Sequence, residues 1–246
     1  MIKLSHLQQS RVLNPPLRGI VQLTSSAMPI VTFRLFAFGI GVSTIEKVFM
    51  TISLSASLVL ASASPRRQEL LRSVGLKFKI IPGHVNENYL AGESPRQHVR
   101  RLSIDKAIII ARKYPEAWVL GADTIVVIDG HILGKPKNQT QAREMLQKLS
   151  GNEHKVFTGF TIAHAAAEVY QTKVIQSAVL FKTISPKEMD WYVSYDEPYD
   201  KAGGYAVQGK GACFIQSIRG SYTNVIGLPL CEVMEALKKL EVINFR

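Results

Sequence analysis

Two adjacent arginines sit where an anion would have to be expected. Arg66 and Arg67 follow Ser62-Ala63-Ser64-Pro65, directly after the apolar run Leu58-Val59-Leu60-Ala61. That run reads as a short buried strand. Ser64 is an N-cap type and Pro65 is preset for a first helical turn, so both arginines fall in the first turn of a helix that Gly75 can end. A helix N-terminus offers free N–H groups and a partial positive charge, and further cations are disfavoured there unless they share an anion. Small residues ahead of them let the backbone approach a ligand. The stretch therefore predicts a phosphate-binding pocket, although an exposed basic turn would give the same local pattern.

A carboxylate and further cations lie downstream. Asp123 interrupts the apolar stretch from Trp118 to Ile128. A charged, unpaired aspartate inside such a strand costs several kcal/mol, so Asp123 must face a cleft, a cation or an arginine, or be hydrogen-bonded in the interior. Asp129-Gly130 is a hairpin signal, His131-Ile132-Leu133 the returning strand, and Gly134-Lys135-Pro136 puts Lys135 near the same end. Glu87 is the one carboxylate of the polar loop Gly83–Asn88. Lys106 lies within a helix and either stays at the surface or reaches a cleft. Asp200, Lys201 and Gln208 fall in a loop, 196–211, with four glycines.

The elements that must position these residues follow from pattern. Lys77–Pro82 alternates as a second strand. Ser94-Pro95 opens a helix to about Lys113, with Val99, Leu102, Ala107, Ile110 and Ala111 on one buried face. Asn138 caps a helix through Lys148, with Ala142, Met145, Leu146 and Leu149 inward. His154–Ile162 and Val174–Ile184 read as longer strands, and Ser185-Pro186 begins a helix through Val193. A strand near Phe214–Gln216 and an amphipathic helix, Cys231–Leu240, complete the pattern. Mixed strands and helices in this order predict an α/β or α+β fold with a substantial sheet.

The 246 residues are 46% apolar and 20% charged, an ordinary globular composition. Cys213 and Cys231 have neither metal-ligand spacing nor a disulfide framework, so a reducing cytoplasm is expected. The net charge of +11 suits polyanionic partners, nucleotides as well as nucleic acids. The basic residues are dispersed without an aromatic platform, which argues against nucleic-acid binding. Residues 1–49 carry Lys3, Arg11, Arg18, Arg34 and Lys47 against Glu46 alone, and their apolar patch is too short for a membrane span. An organellar transit peptide shares that composition. The simpler expectation is an N-terminal extension outside the fold, with the domain at 50–246. There is no Walker-type loop, dinucleotide fingerprint, two-His metal spacing or serine-hydrolase elbow.

Taken together, Ser62-Ala63-Ser64-Pro65-Arg66-Arg67-Gln68-Glu69-Leu70-Leu71, Gly121-Ala122-Asp123-Thr124, Gly134-Lys135-Pro136, Leu149-Ser150-Gly151 with His154, and Asp196-Glu197-Pro198 leading to Lys201-Ala202-Gly203 resemble the Maf nucleotide pyrophosphatases. The ordered set covers roughly residues 55–240. The resemblance implies an elongated mixed β-sheet with flanking helices forming two lobes around a cleft, of the Maf/inosine-triphosphatase-like kind. It implies hydrolysis of a nucleoside triphosphate to monophosphate and diphosphate with a divalent metal, Mg²⁺ or Mn²⁺, in a homodimer. Arg66, Thr124 and Gln208 match the subgroup acting on dTTP and UTP. On this resemblance Glu87 and Asp123 hold the metal, Asp123 also activates water, and Lys135 meets the leaving diphosphate. Ser64, Arg66 and Arg67 hold phosphates, Gln208 reads the imide edge of the base, and Lys106 and Lys201 are further phosphate candidates. The alternative is a non-catalytic nucleotide-binding regulator of cell division.

Overall fold

A computed structural model describes residues 52–245; the extension expected at 1–49 lies outside them. The chain opens with β1 (Ile52–Leu54) and β2 (Leu58–Leu60), then α1 (Pro65–Ser73) and β3 (Lys79–Ile80). It continues through α2 (Pro95–Ala111), β4 (Trp118–Ile128), β5 (His131–Leu133) and α3 (Gln139–Leu149). Two long strands follow, β6 (Glu153–His164) and β7 (Val169–Phe181), and then α4 (Pro186–Val193). After a run of 3₁₀ turns come β8 (Ile215–Arg219), α5 (Tyr222–Ile226), α6 (Leu230–Lys239) and β9 (Ile243–Phe245).

The main sheet has seven strands in the order β3-β2-β4-β6-β7-β8, with β5 added to β4. β2 runs parallel to both β3 and β4, whereas β4, β6, β7 and β8 are successively antiparallel. The backbone of this mixed α/β sheet is β4, which contributes to four apolar clusters, two of them against α2 at Ala107 and Val99. Its first half joins Leu60, Leu71 and Leu237 in one cluster; its second half joins Leu146, Phe181 and Tyr192 in another. These two larger clusters lie toward opposite ends of β4.

Along one edge, β4 changes partner. β2 pairs with it only as far as Leu120, and β5 takes up the pairing at Val126. Residues 121–125 pair with β6 on the other side but face neither strand on this one. The gap falls at the carboxyl end of β2, the usual ligand position in open α/β sheets.

α2 crosses the sheet at the same level. A Cβ on Gly121 would lie 2.5 Å from the Ser103 carbonyl oxygen, and one on Gly159 would lie 2.2 Å from that of Val99. Both glycines are therefore required for helix and sheet to touch. The expected inward face of α2 is buried at Val99, Leu102, Ala107, Ile110 and Ala111. Ser94 closes a capping box with Gln97, which explains the crisp start of this helix.

Several expectations shift. The second strand shrinks to Lys79 and Ile80, since it is an exposed edge holding β2 alone. β7 begins at Val169 rather than Val174, because main-chain pairing with β6 carries it through polar, partly exposed positions. Ser64 occupies the N-cap position of α1 but its hydroxyl makes no capping bond; the Ser62 hydroxyl accepts from the Ser64 amide instead, at 3.2 Å. β1 and β9, which pair the two ends of the described chain antiparallel, were not anticipated, and neither was α5.

Candidate active site

A cavity of about 490 Å³ opens at the gap beside β4. Its wall carries Arg66, Arg67, Lys106, Lys135 and Lys201 against Glu87, Asp123 and Asp200, five cations to three carboxylates. Ser64 and Thr124 also line it. The helix N-terminus of α1 enters from one side and the β4–β5 hairpin from the other.

Asp123 and Thr124 are neighbours in β4 and so point to opposite faces. Asp123 turns toward α2, where Lys106 Nζ lies 2.7 Å from its Oδ1 and 2.6 Å from Glu87 Oε1. Asp123 and Lys106 are both buried. Burial alone would raise the Glu87 pKa; the hydrogen bond and charge of Lys106, supported by Lys135 and Arg67, outweigh it and hold the carboxyl below its ordinary value. Lys106 is thus the clamp between two carboxylates, a role its position in a helical pattern could not disclose.

Thr124 turns the other way, toward Arg67. Arg67, expected as a phosphate ligand, lines the cavity but is buried, and its guanidinium is bonded to the protein. Its Nε donates to the Gly227 carbonyl at 2.8 Å, Nη1 to the Ala122 carbonyl at 2.8 Å and Ser62 Oγ at 3.0 Å, and Nη2 to Thr124 Oγ1 at 3.0 Å. Burial lowers its pKa, opposed by the charge of Asp123. The fork ties α1, β4 and the residue after α5 together. Thr124 Oγ1 also bonds the Gly227 carbonyl and Thr158.

Arg66 points to the cavity mouth and meets Asp200 at 3.2 Å. Lys201 Nζ donates to the Glu197 carbonyl at 2.8 Å and pairs with Asp200. Burial would raise Asp200, but Lys201 and Arg66 together hold it below its usual value. Asp200 was visible in the sequence, yet nothing there marked it as the counter-ion of Arg66. Gln208 sits on an exposed loop tip; its neighbours Ala206 and Val207 line the cavity and it does not. His154 is fully buried, with Nε2 2.7 Å from the Tyr205 hydroxyl, and Tyr205 forms part of the cavity wall. That contact joins β6 to the glycine-rich loop, 51 residues further along the chain.

Among the described residues no group of three or more His, Cys, Asp or Glu side chains is arranged around a common point. Glu87 and Asp123 nevertheless fit a hard divalent ion. They are two carboxylates converging on one cation, and Mg²⁺ is commonly held by one or two carboxylates with substrate phosphates and water completing the shell.

A mixed α/β sheet with a cation-rich cleft at the carboxyl end of a parallel strand, and two convergent carboxylates inside, defines a protein built to hold a polyanion. This chain belongs to the Maf family: the family description "Maf-like protein" matches residues 57–240. A dTTP/UTP pyrophosphatase of Syntrophus aciditrophicus (strain SB) is 57% identical over 192 residues, 78% of this chain and 94% of that protein. The dTTP/UTP pyrophosphatases of Geotalea uraniireducens (strain Rf4) and Clostridioides difficile (strain 630) are 47% and 43% identical, across 77% and 76% of this chain and 97% of each relative. A HAM1 protein from Coxiella burnetii aligns at 17% identity with a TM-score of 0.37, covering 75% of this chain and 99% of that one. Nothing in these comparisons favours a non-catalytic regulator.

Proposed function

We propose that this chain is a nucleoside triphosphate pyrophosphatase that hydrolyses dTTP and UTP to the monophosphate and diphosphate. The observation that carries the reading is the Glu87–Lys106–Asp123 cluster on the wall of a cation-rich cavity, in a chain whose relatives bear that activity in their names. Attack of water on the α-phosphorus breaks the α–β anhydride bond and builds charge on phosphoryl oxygens. Catalysis is then mostly positioning and electrostatics. Asp123 Oδ1 is engaged by Lys106, leaving Oδ2 to orient the water and take its proton.

Glu87 and Asp123 would hold a divalent cation, which neutralises phosphoryl oxygens when bound. Lys135 would receive the departing diphosphate. Arg66 would exchange Asp200 for a substrate phosphate, while Arg67 keeps Thr124 and the α1 N-terminus in place. Ser64 and Lys201 lie on the same wall for further phosphate contacts, and Gln208 would close over the base. A homodimer in the cytoplasm is part of this reading. Among the described residues no helix is long and apolar enough to cross a membrane.

The test is a panel of nucleoside triphosphates assayed for diphosphate release, with and without Mg²⁺ or Mn²⁺. Release of diphosphate from dTTP and UTP ahead of CTP and the purine nucleotides is expected. Release of orthophosphate, or none at all, would overturn the assignment.

A further inference from the structure

The loop that bears Gln208 is clipped at its end by Glu197 and at its start by Tyr192, which Glu197 in turn holds. Glu197 Oε2 accepts from the Lys210 amide at 3.0 Å, and its Oε1 from the Gly211 amide at 2.9 Å. The Tyr192 hydroxyl donates to Oε1 at 2.9 Å and accepts from the Ala206 amide at 3.1 Å. Glu197 and Tyr192 therefore draw together the start and the end of a loop whose free portion is Val207-Gln208-Gly209. Gly209 is at φ 141°, a conformation L side chains rarely adopt, and a Cβ there would lie 2.3 Å from Glu197 Oε2. The acid and the glycine are fitted to each other. Burial would raise the Glu197 pKa, but the Gly211 and Lys210 amides outweigh it and keep the group ionised. Such charge-assisted bonds are about twice as strong as neutral ones.

Ala206 and Val207 line the cavity, and Gln208 follows directly on the exposed tip of the loop. How far Gln208 can reach is then set by where the loop is pinned. An amide carries both donor and acceptor and can flip, so it discriminates between bases only if its orientation is locked. We propose that Glu197, acting with Tyr192, is a positioning residue for nucleobase selectivity. The inference rests on the pyrophosphatase reading above and adds to it the device that holds the selective loop.

The experiment compares Tyr192→Phe and Glu197→Gln with the wild type. Tyr192→Phe keeps the ring that stacks edge-on against Phe214, at 5.2 Å between centroids, so it loosens the clip without emptying the core. The UTP-to-CTP ratio of kcat/KM is expected to fall about threefold or more in both variants, while kcat on UTP stays within about threefold of wild type. Hydrogen exchange at the Lys210 and Gly211 amides should quicken. An unchanged ratio in two folded variants would overturn the proposal. Gln208→Ala separates the parts: if it leaves the ratio intact while the other two lower it, Gln208 loses its role and the clip keeps its own. Absence of diphosphate release from every nucleotide in the wild type would instead bring down the underlying reading.

Discussion

Lys106 Nζ stands 2.7 Å from Asp123 Oδ1, both side chains buried, where α2 crosses β4. This contact exists because Gly121, two residues before the aspartate, and Gly159, its partner in β6, let the helix touch the sheet. Close approach thus serves the site as much as the fold: it delivers a cation to a carboxylate that would otherwise be costly to bury.

Asp123→Asn should remove the base while keeping the shape, since an amide oxygen can still accept from Lys106. A fall in kcat of about 10²- to 10⁴-fold is expected, with little change in thermal midpoint. Steady-state kinetics with dTTP and a melting curve check both halves. Normal turnover would strip Asp123 of its catalytic role.

The two arginines should fail in different ways. Arg67→Lys cannot reproduce a fork that serves Gly227, Ala122, Ser62 and Thr124, and unpaired buried groups cost about 1–3 kcal/mol each. Its main effect should be on stability. Arg66→Lys, at the cavity mouth, should raise KM with a near-normal melting temperature. Denaturation and kinetics on the same two variants distinguish these outcomes.

Gly159→Ala should be destabilising by about 1–3 kcal/mol or more, because the new methyl meets the Val99 backbone carbonyl at 2.2 Å and a backbone cannot rotate away. Activity should fall with it, since any retreat of α2 withdraws Lys106 from Asp123. Urea unfolding is the direct measurement. A wild-type midpoint would mean that the helix can give way at little cost.

His154 gives a pH dependence. Burial lowers its pKa from 6.5 to about 4. Between those values the unfolded chain binds a proton that the folded chain refuses, so stability falls as pH falls through that window, by up to about 1.4 kcal/mol per unit. His154 Nδ1 is buried without a hydrogen-bond partner among the described residues, which leaves nothing there to stabilise the charged ring. In His154→Gln the difference in urea midpoint between pH 7 and pH 5 should shrink. An unaltered difference would assign the pH sensitivity to other groups.

Local pattern was enough for most of the elements. Pro after a capping serine started α2 and α4 where expected, with both capping boxes formed, and the 3.6-residue period named the buried faces of α2 and α3 correctly. These features depend on neighbours a few residues apart, and a sequence displays such neighbours directly. Asp129-Gly130 likewise marked the hairpin, and the apolar run around Asp123 marked an aspartate with something to face.

What faced it was decided in three dimensions. That Lys106 rather than an arginine meets Asp123 depends on the crossing of α2 over two glycines. That Arg67 turns inward depends on a carbonyl 160 residues away, and that Arg66 is paired with Asp200 depends on a contact across 134. The pairing of β1 with β9 is of the same kind, joining short, weakly patterned segments from the two ends of the described chain. Residue type and local spacing established which groups of the right chemistry were present and which local elements carried them. Only the folded chain shows how each cation of the cavity wall is bonded to the protein, because a side chain's partners are set by distances that composition and spacing do not contain.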